Sequence, residues 1–119
     1  VTKLLVMAPP ERMAVIRNVL VERYASAATL VTAEDHLTQI ASYQADKGRA
    51  LAYLCKKYRI EPQHTMAIGD GPNDIGMLKF AGLGVAMGNA FDEVKAAADV
   101  VAPSNDDDGV ADTLWKYVA

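Results

Sequence analysis

From Lys3 the chain runs through an apolar stretch to Ala8, meets Pro9 and Pro10, and then repeats Met13, Ile16, Val19, Leu20 and Tyr24 at helical spacing. This pattern predicts a strand and then an amphipathic helix over 11–24, with Pro10 suited to its first turn and Glu11 to its positive end. Arg12, Arg17, Glu22 and Arg23 are expected on its wet face. A β-branched run at Ala28 to Thr32 and a weaker one at Leu37 to Ser42 predict two short strands, antiparallel in part, across the polar link Ala33-Glu34-Asp35. From Lys47 the helical period returns, with Ala50, Leu51, Leu54, Cys55 and Tyr58 on one stripe, Asp46 placed to cap it and Pro62 to end the region. Short apolar runs then alternate with helical ones. Strands are expected at Met66 to Ile68, Leu83 to Ala86 and Asp99 to Ala102, and helices through Ile75 to Ala81, Phe91 to Ala97 and Val110 to Val118.

The chemistry concentrates in residues 65–90. There a buried strand breaks at Gly69 into an acidic turn, Asp70-Gly71-Pro72-Asn73-Asp74. Carboxylates delivered at the carboxyl end of a strand are how an open α/β sheet builds a ligand crevice. Hard oxygen ligands on a tight turn suit Mg²⁺, which keeps some waters and takes one or two carboxylates plus a substrate phosphate. The plainer alternative is a turn that caps the next helix, with Asp70 or Asn73 as N-cap. Two near-matches fail: a dinucleotide fingerprint starting at Gly82 needs a Gly where Met87 stands, and a calcium loop starting at Asp70 needs a Glu where Ala81 stands. Lys47 sits at a helix N-terminus, the unfavourable end for a cation. A phosphate gripped jointly by its ammonium and the helix N–H groups is one reason to keep it there, and simple exposure to solvent is the other. Asn89, in a strand-to-helix turn, reads as an N-cap of the Phe91 helix, and His36 beside Asp35 as a solvated hairpin pair.

Taken in order, Asp46-Lys47-Gly48 with Ala50-Leu51, then Gly69-Asp70-Gly71-Pro72-Asn73-Asp74 with Met77-Leu78, then Val85-Ala86-Met87-Gly88-Asn89-Ala90 resemble the third and fourth motifs of the haloacid dehalogenase (HAD) superfamily. The resemblance is to its Cof-type phosphatases, and Ser104 to Val110 resembles their C-terminal end. It implies an α/β fold: a HAD-like, Rossmann-type three-layer core with a parallel sheet, incomplete here, preceded by a remnant of an α+β cap. It further implies cap residues at 1–42, half a core at 43–119, and a Mg²⁺-dependent phosphohydrolase of small phosphorylated metabolites. In that reading Asp70 and Asp74 serve the metal, Asn73 and Asn89 position the phosphate site, and Lys47 offsets phosphate charge. The family's attacking Asp, with a second Asp two residues on, is not found. The single Asp-x-Asp, Asp106-Asp107-Asp108, is separated from the preceding strand by Pro103, Ser104 and Asn105. The chain alone is therefore expected to be inactive, its metal strand open on one side for the missing N-terminal part of the enzyme or for a second copy. A truncated binding or assembly module is the rival reading, and a phosphotransferase or mutase would share every residue named.

Composition adds exclusions. The 119 residues are 51% hydrophobic and 23% charged, ordinary for a globular chain. A net charge of −3 without a Lys/Arg stripe, and few aromatic residues, argue against nucleic acid as a partner. No apolar segment approaches a membrane span. A single cysteine forms no internal disulfide and fits the cytoplasm.

Overall fold

The computed structural model describes residues 3–118, and the chain divides into two compact units, Val1–Ala45 and Asp46–Ala119. In the first, β1 (Lys3–Met7) leads into α1 (Pro10–Tyr24), and β2 (Ala28–Glu34) and β3 (Leu37–Ser42) form a hairpin. The strands pair antiparallel in the order β1-β3-β2, with Leu4 opposite Ile40 and Val6 opposite Thr38. β2 extends past the expected Thr32 because the ladder continues through a register shift between Thr32 and Glu34. One side of α1 buries Met13 on this sheet, where the Thr38 hydroxyl donates to Met13 Sδ at 3.4 Å.

Arg17 departs from the expected wet face. One turn on from Met13, its guanidinium reaches the hairpin end and donates to Thr38 Oγ1 at 2.9 Å, to the Leu37 carbonyl at 3.4 Å and to the Glu34 carbonyl. Both carbonyls lie beside the register shift in the β2–β3 pairing, where a planar donor fork on the buried helix face reaches them.

The second unit runs α2 (Lys47–Tyr58), β4 (Met66–Gly69), α3 (Ile75–Phe80), β5 (Leu83–Ala86), α4 (Asp92–Lys95), β6 (Val100–Val101) and α5 (Gly109–Tyr117). Its strands are parallel in the order β4-β5-β6, with Met66 opposite Leu83 and Val85 opposite Val100. Ala67, Leu78, Val85, Ala86, Met87, Ala90, Val94 and Ala102 form the core. The strongly apolar β5 is buried because it is the central strand. α2 ends on Arg59 in the left-handed conformation (φ 58°), with the Ile60 N–H donating back to the Cys55 carbonyl at 2.9 Å.

Two elements are shorter than their patterns suggest. The helix expected over Phe91–Ala97 is regular only over Asp92–Lys95, and the strand expected from Asp99 pairs only at Val100 and Val101. Asp99 is diverted into a local clasp. Its N–H donates to the Gly84 carbonyl at 2.8 Å while its carboxylate accepts the Gly84 N–H at 2.7 Å. The side chain thus replaces the next ladder bond.

Candidate active site at the end of β4

β4 ends at Gly69, and the chain folds over a short 3₁₀ turn, Pro72–Asp74, before entering α3. Asp74 closes this turn. Its Oδ2 accepts the N–H groups of Asp70 and Gly71, each at 3.1 Å, while its own N–H donates to the Gly71 carbonyl at 2.9 Å. A carboxylate reaching back to otherwise unpaired N–H groups is the logic of a capping box. The approach is close enough to require glycine: a Cβ on Gly69 would lie 2.4 Å from the Asp74 Cβ. Neither Asp70 nor Asn73 caps α3, since no side chain does so.

Asp74 is only 3% exposed, and its other oxygen, Oδ1, accepts from Lys47 Nζ. This pair joins the first residue of α2 to the residue that precedes α3. Asp46 caps α2, its carboxylate accepting the Arg49 N–H at 2.8 Å. Lys47 lies at the wrong end of α2 for the helix dipole, and the buried carboxylate offsets that cost. With the Lys47 side chain half exposed, the attraction is partly screened. Its larger effect is to keep a buried negative charge from standing unpaired.

The two carboxylates of the turn are therefore in different positions. Asp74 is engaged by three protein donors, whereas Asp70 is exposed and its carboxylate makes no hydrogen bond among the described residues. Asn73 stands exposed on the outside of the turn, its side-chain oxygen over Gly71. Among the described residues, no group of three or more His, Cys, Asp or Glu side chains converges into a ready-made metal cage. Such a donor set fits a cation that keeps most of its water rather than one held by protein alone.

Asn89 follows β5 as Asp70 follows β4, so the parallel pairing brings both to the same end of the sheet. It is not the cap of α4, which starts after Phe91 without a side-chain cap. Its Oδ1 instead accepts the Asn105 N–H at 3.0 Å and ties the turn after β5 to the 3₁₀ turn Asn105–Asp107. Asp106, Asp107 and Asp108 are all exposed in and beside that turn. In the other unit, His36 Nδ1 lies 3.4 Å from Glu34 Oε2, so its neighbour is Glu34 rather than Asp35.

Among the described residues β4 pairs only with β5, leaving its other edge without a strand. Beside β4 lies a groove of about 370 Å³ lined by Leu51, Leu54, Met66, Ile68 and Met77, with Lys47 also at its wall. Neither the Asp74 clasp nor this groove is evident from the hydrophobic pattern of the chain. The Gly-Asp-x-x-x-Asp spacing was a signal for the first, because it sets a carboxylate within reach of the turn's own N–H groups.

Residues 1–114 match the family profile described as haloacid dehalogenase-like hydrolase. The chain is 47% identical over 83 residues to the phosphatase YwpJ of Bacillus subtilis, a match covering 70% of this chain and 29% of that protein. It is also 42% identical over 103 residues to a chloroplastic endoribonuclease, YBEY, of Arabidopsis thaliana, covering 87% of this chain but 18% of that protein. A crystal structure of a haloacid dehalogenase-like hydrolase from Bacteroides thetaiotaomicron superposes with a TM-score of 0.85 at 34% identity, over 97% of this chain and 43% of that one. The chain thus spans less than half the length of each of these relatives. The match along nearly the whole chain, together with the parallel α/β unit, assigns it to the haloacid dehalogenase-like hydrolases, within their Cof-type phosphatase branch.

Proposed function

We propose that the chain supplies the metal- and phosphate-facing half of a Mg²⁺-dependent phosphohydrolase of small phosphorylated metabolites. Residues 43–119 would be the C-terminal half of the catalytic core and residues 1–42 part of its cap, acting in the cytoplasm. The observation that carries this reading is the division of labour at the end of β4. A buried Asp74 anchors both the turn and Lys47, and Asp70 is left exposed beside them.

In this reading Asp70 is the direct ligand of Mg²⁺, and Asp74 holds the turn and orients the metal's water. Asn73 and Asn89 shape the phosphate pocket, and Lys47 faces the transferring phosphoryl group. When bound, Mg²⁺ supplies charge neutralisation at the phosphoryl oxygens. The half-exposed ammonium of Lys47 is placed to meet the same developing charge. The attacking carboxylate has no counterpart in this chain, so the 119 residues alone are expected not to turn over p-nitrophenyl phosphate. The test is thermal melting of the complete enzyme, this chain together with its N-terminal part, with Mg²⁺ and orthovanadate, in wild type and Asp70→Asn. Ligand that binds only the folded state at about a hundred times its Kd adds about 2.7 kcal/mol. The wild type should show such a gain and Asp70→Asn should lose it; equal gains would sink the metal assignment.

The open edge of β4 and its apolar groove favour a second reading, a binding or assembly module that covers this edge with another strand. Sedimentation separates the two. Self-association of the isolated chain at micromolar concentration, with no vanadate response in the complete enzyme, supports the assembly module, and a monomeric chain with that response in the complete enzyme supports the phosphohydrolase.

A further inference from the structure

Asp46 touches both helices that carry the Lys47–Asp74 pair. Its carboxylate caps α2 through the Arg49 N–H at 2.8 Å. The same carboxylate lies against the first turn of α3, where a Cβ built on Gly76 would stand 3.2 Å from its Oδ2 and 3.5 Å from its Oδ1. The two helices are in backbone contact there, since a Cβ on Gly48 would lie 2.7 Å from the Gly76 carbonyl oxygen. The exposed carboxylate of Asp46, the residue before Lys47, thus sits against Gly76, two residues after Asp74, beside a glycine-to-glycine crossing.

From this arrangement we infer that Asp46 is a positioning residue. It fixes the N-terminus of α2 against α3 so that the Lys47 ammonium is presented at Asp74, and hence, on the phosphohydrolase reading above, at the phosphoryl group. Lys47 has a long stem with several rotatable bonds, and a frayed first turn would let it move into water. The cap removes that freedom at the backbone, and the Gly48–Gly76 contact leaves α2 no slack to slide over α3.

Gly is nearly as good as Asp at an N-cap for stability, whereas Asn keeps the side-chain acceptor. Asp46→Gly therefore separates positioning from stability, and Asp46→Asn is its rescue. The readout is the rate at which an amine-reactive acetylating reagent labels Lys47, measured by peptide mass spectrometry against the exposed Lys79 as internal standard. Loss of the side-chain acceptor at the cap should free the ammonium from Asp74 and raise Lys47 labelling about twofold in Asp46→Gly. The Lys79 rate should stay unchanged, and Asp46→Asn should stay near wild type. Gly76→Ala, which sets a methyl against the Asp46 carboxylate, should raise Lys47 labelling in the same direction.

Unchanged Lys47 labelling in Asp46→Gly, with or without a lower melting temperature, would overturn the inference and leave Asp46 a cap only. If Lys79 accelerates equally in Asp46→Gly because the fold loosens, Gly76→Ala decides, and no change there overturns it. The vanadate response reports separately. Its absence in every variant counts against the phosphohydrolase reading, while the labelling pattern still decides the role of Asp46.

Discussion

Asp74→Ala removes the acceptor of two backbone N–H groups at 3.1 Å and the partner of Lys47 in one step. Hydrogen bonds to a charged group each contribute about 1.5–3 kcal/mol when buried. Here Asp70 is exposed, Gly71 is part-buried and the Lys47 side chain is half exposed, so each freed donor recovers some water. The discounted loss is about 2–4 kcal/mol in total. At about 4–8 °C per kcal/mol for a unit the size of Asp46–Ala119, the melting temperature should fall by about 8–32 °C. Asp74→Asn keeps one oxygen for the turn but points an N–H₂ donor at Lys47, and should cost about half as much. Far-UV circular dichroism melts measure the loss, and hydrogen exchange at the Asp70 and Gly71 amides localises it. Stability of Asp74→Ala within about 0.5 kcal/mol of wild type, with both amides still protected, would show that the carboxylate is not what holds the turn.

Two further perturbations follow from the packing. Gly48→Ala drives a Cβ to 2.7 Å from the backbone oxygen of Gly76, which cannot rotate away, so it should destabilise by about 1–3 kcal/mol in a urea titration. Arg17→Met keeps the apolar stem but removes the donors to Thr38, Leu37 and Glu34. It should cost about 1–2 kcal/mol and speed amide exchange in the β2–β3 hairpin, leaving exchange in β4 and β5 unchanged.

The order of elements, the acidic turn and the family are legible in the residues alone, because hydrophobic period and turn chemistry act over a few residues. The strand at Leu37–Ser42 and the helix opening at Lys47 behind the Asp46 cap are visible in that way. So is Asp70 at the end of a buried strand. Partnerships across long separations are settled only when the chain folds. Lys47 meets Asp74 across 27 residues, Arg17 meets Thr38 across 21, and Asn89 holds Asn105 across 16. No local pattern says whether a Lys at a helix start faces solvent, a phosphate or a buried carboxylate. The answer depends on how closely α2 and α3 approach, which is set by Gly48 and Gly76 meeting without side chains. The same crossing separates Asp70, left to water, from Asp74, fully engaged by the protein. Two carboxylates that look alike in one turn end in different surroundings, because only Asp74 reaches back to the turn's own N–H groups and is met by Lys47 from another helix.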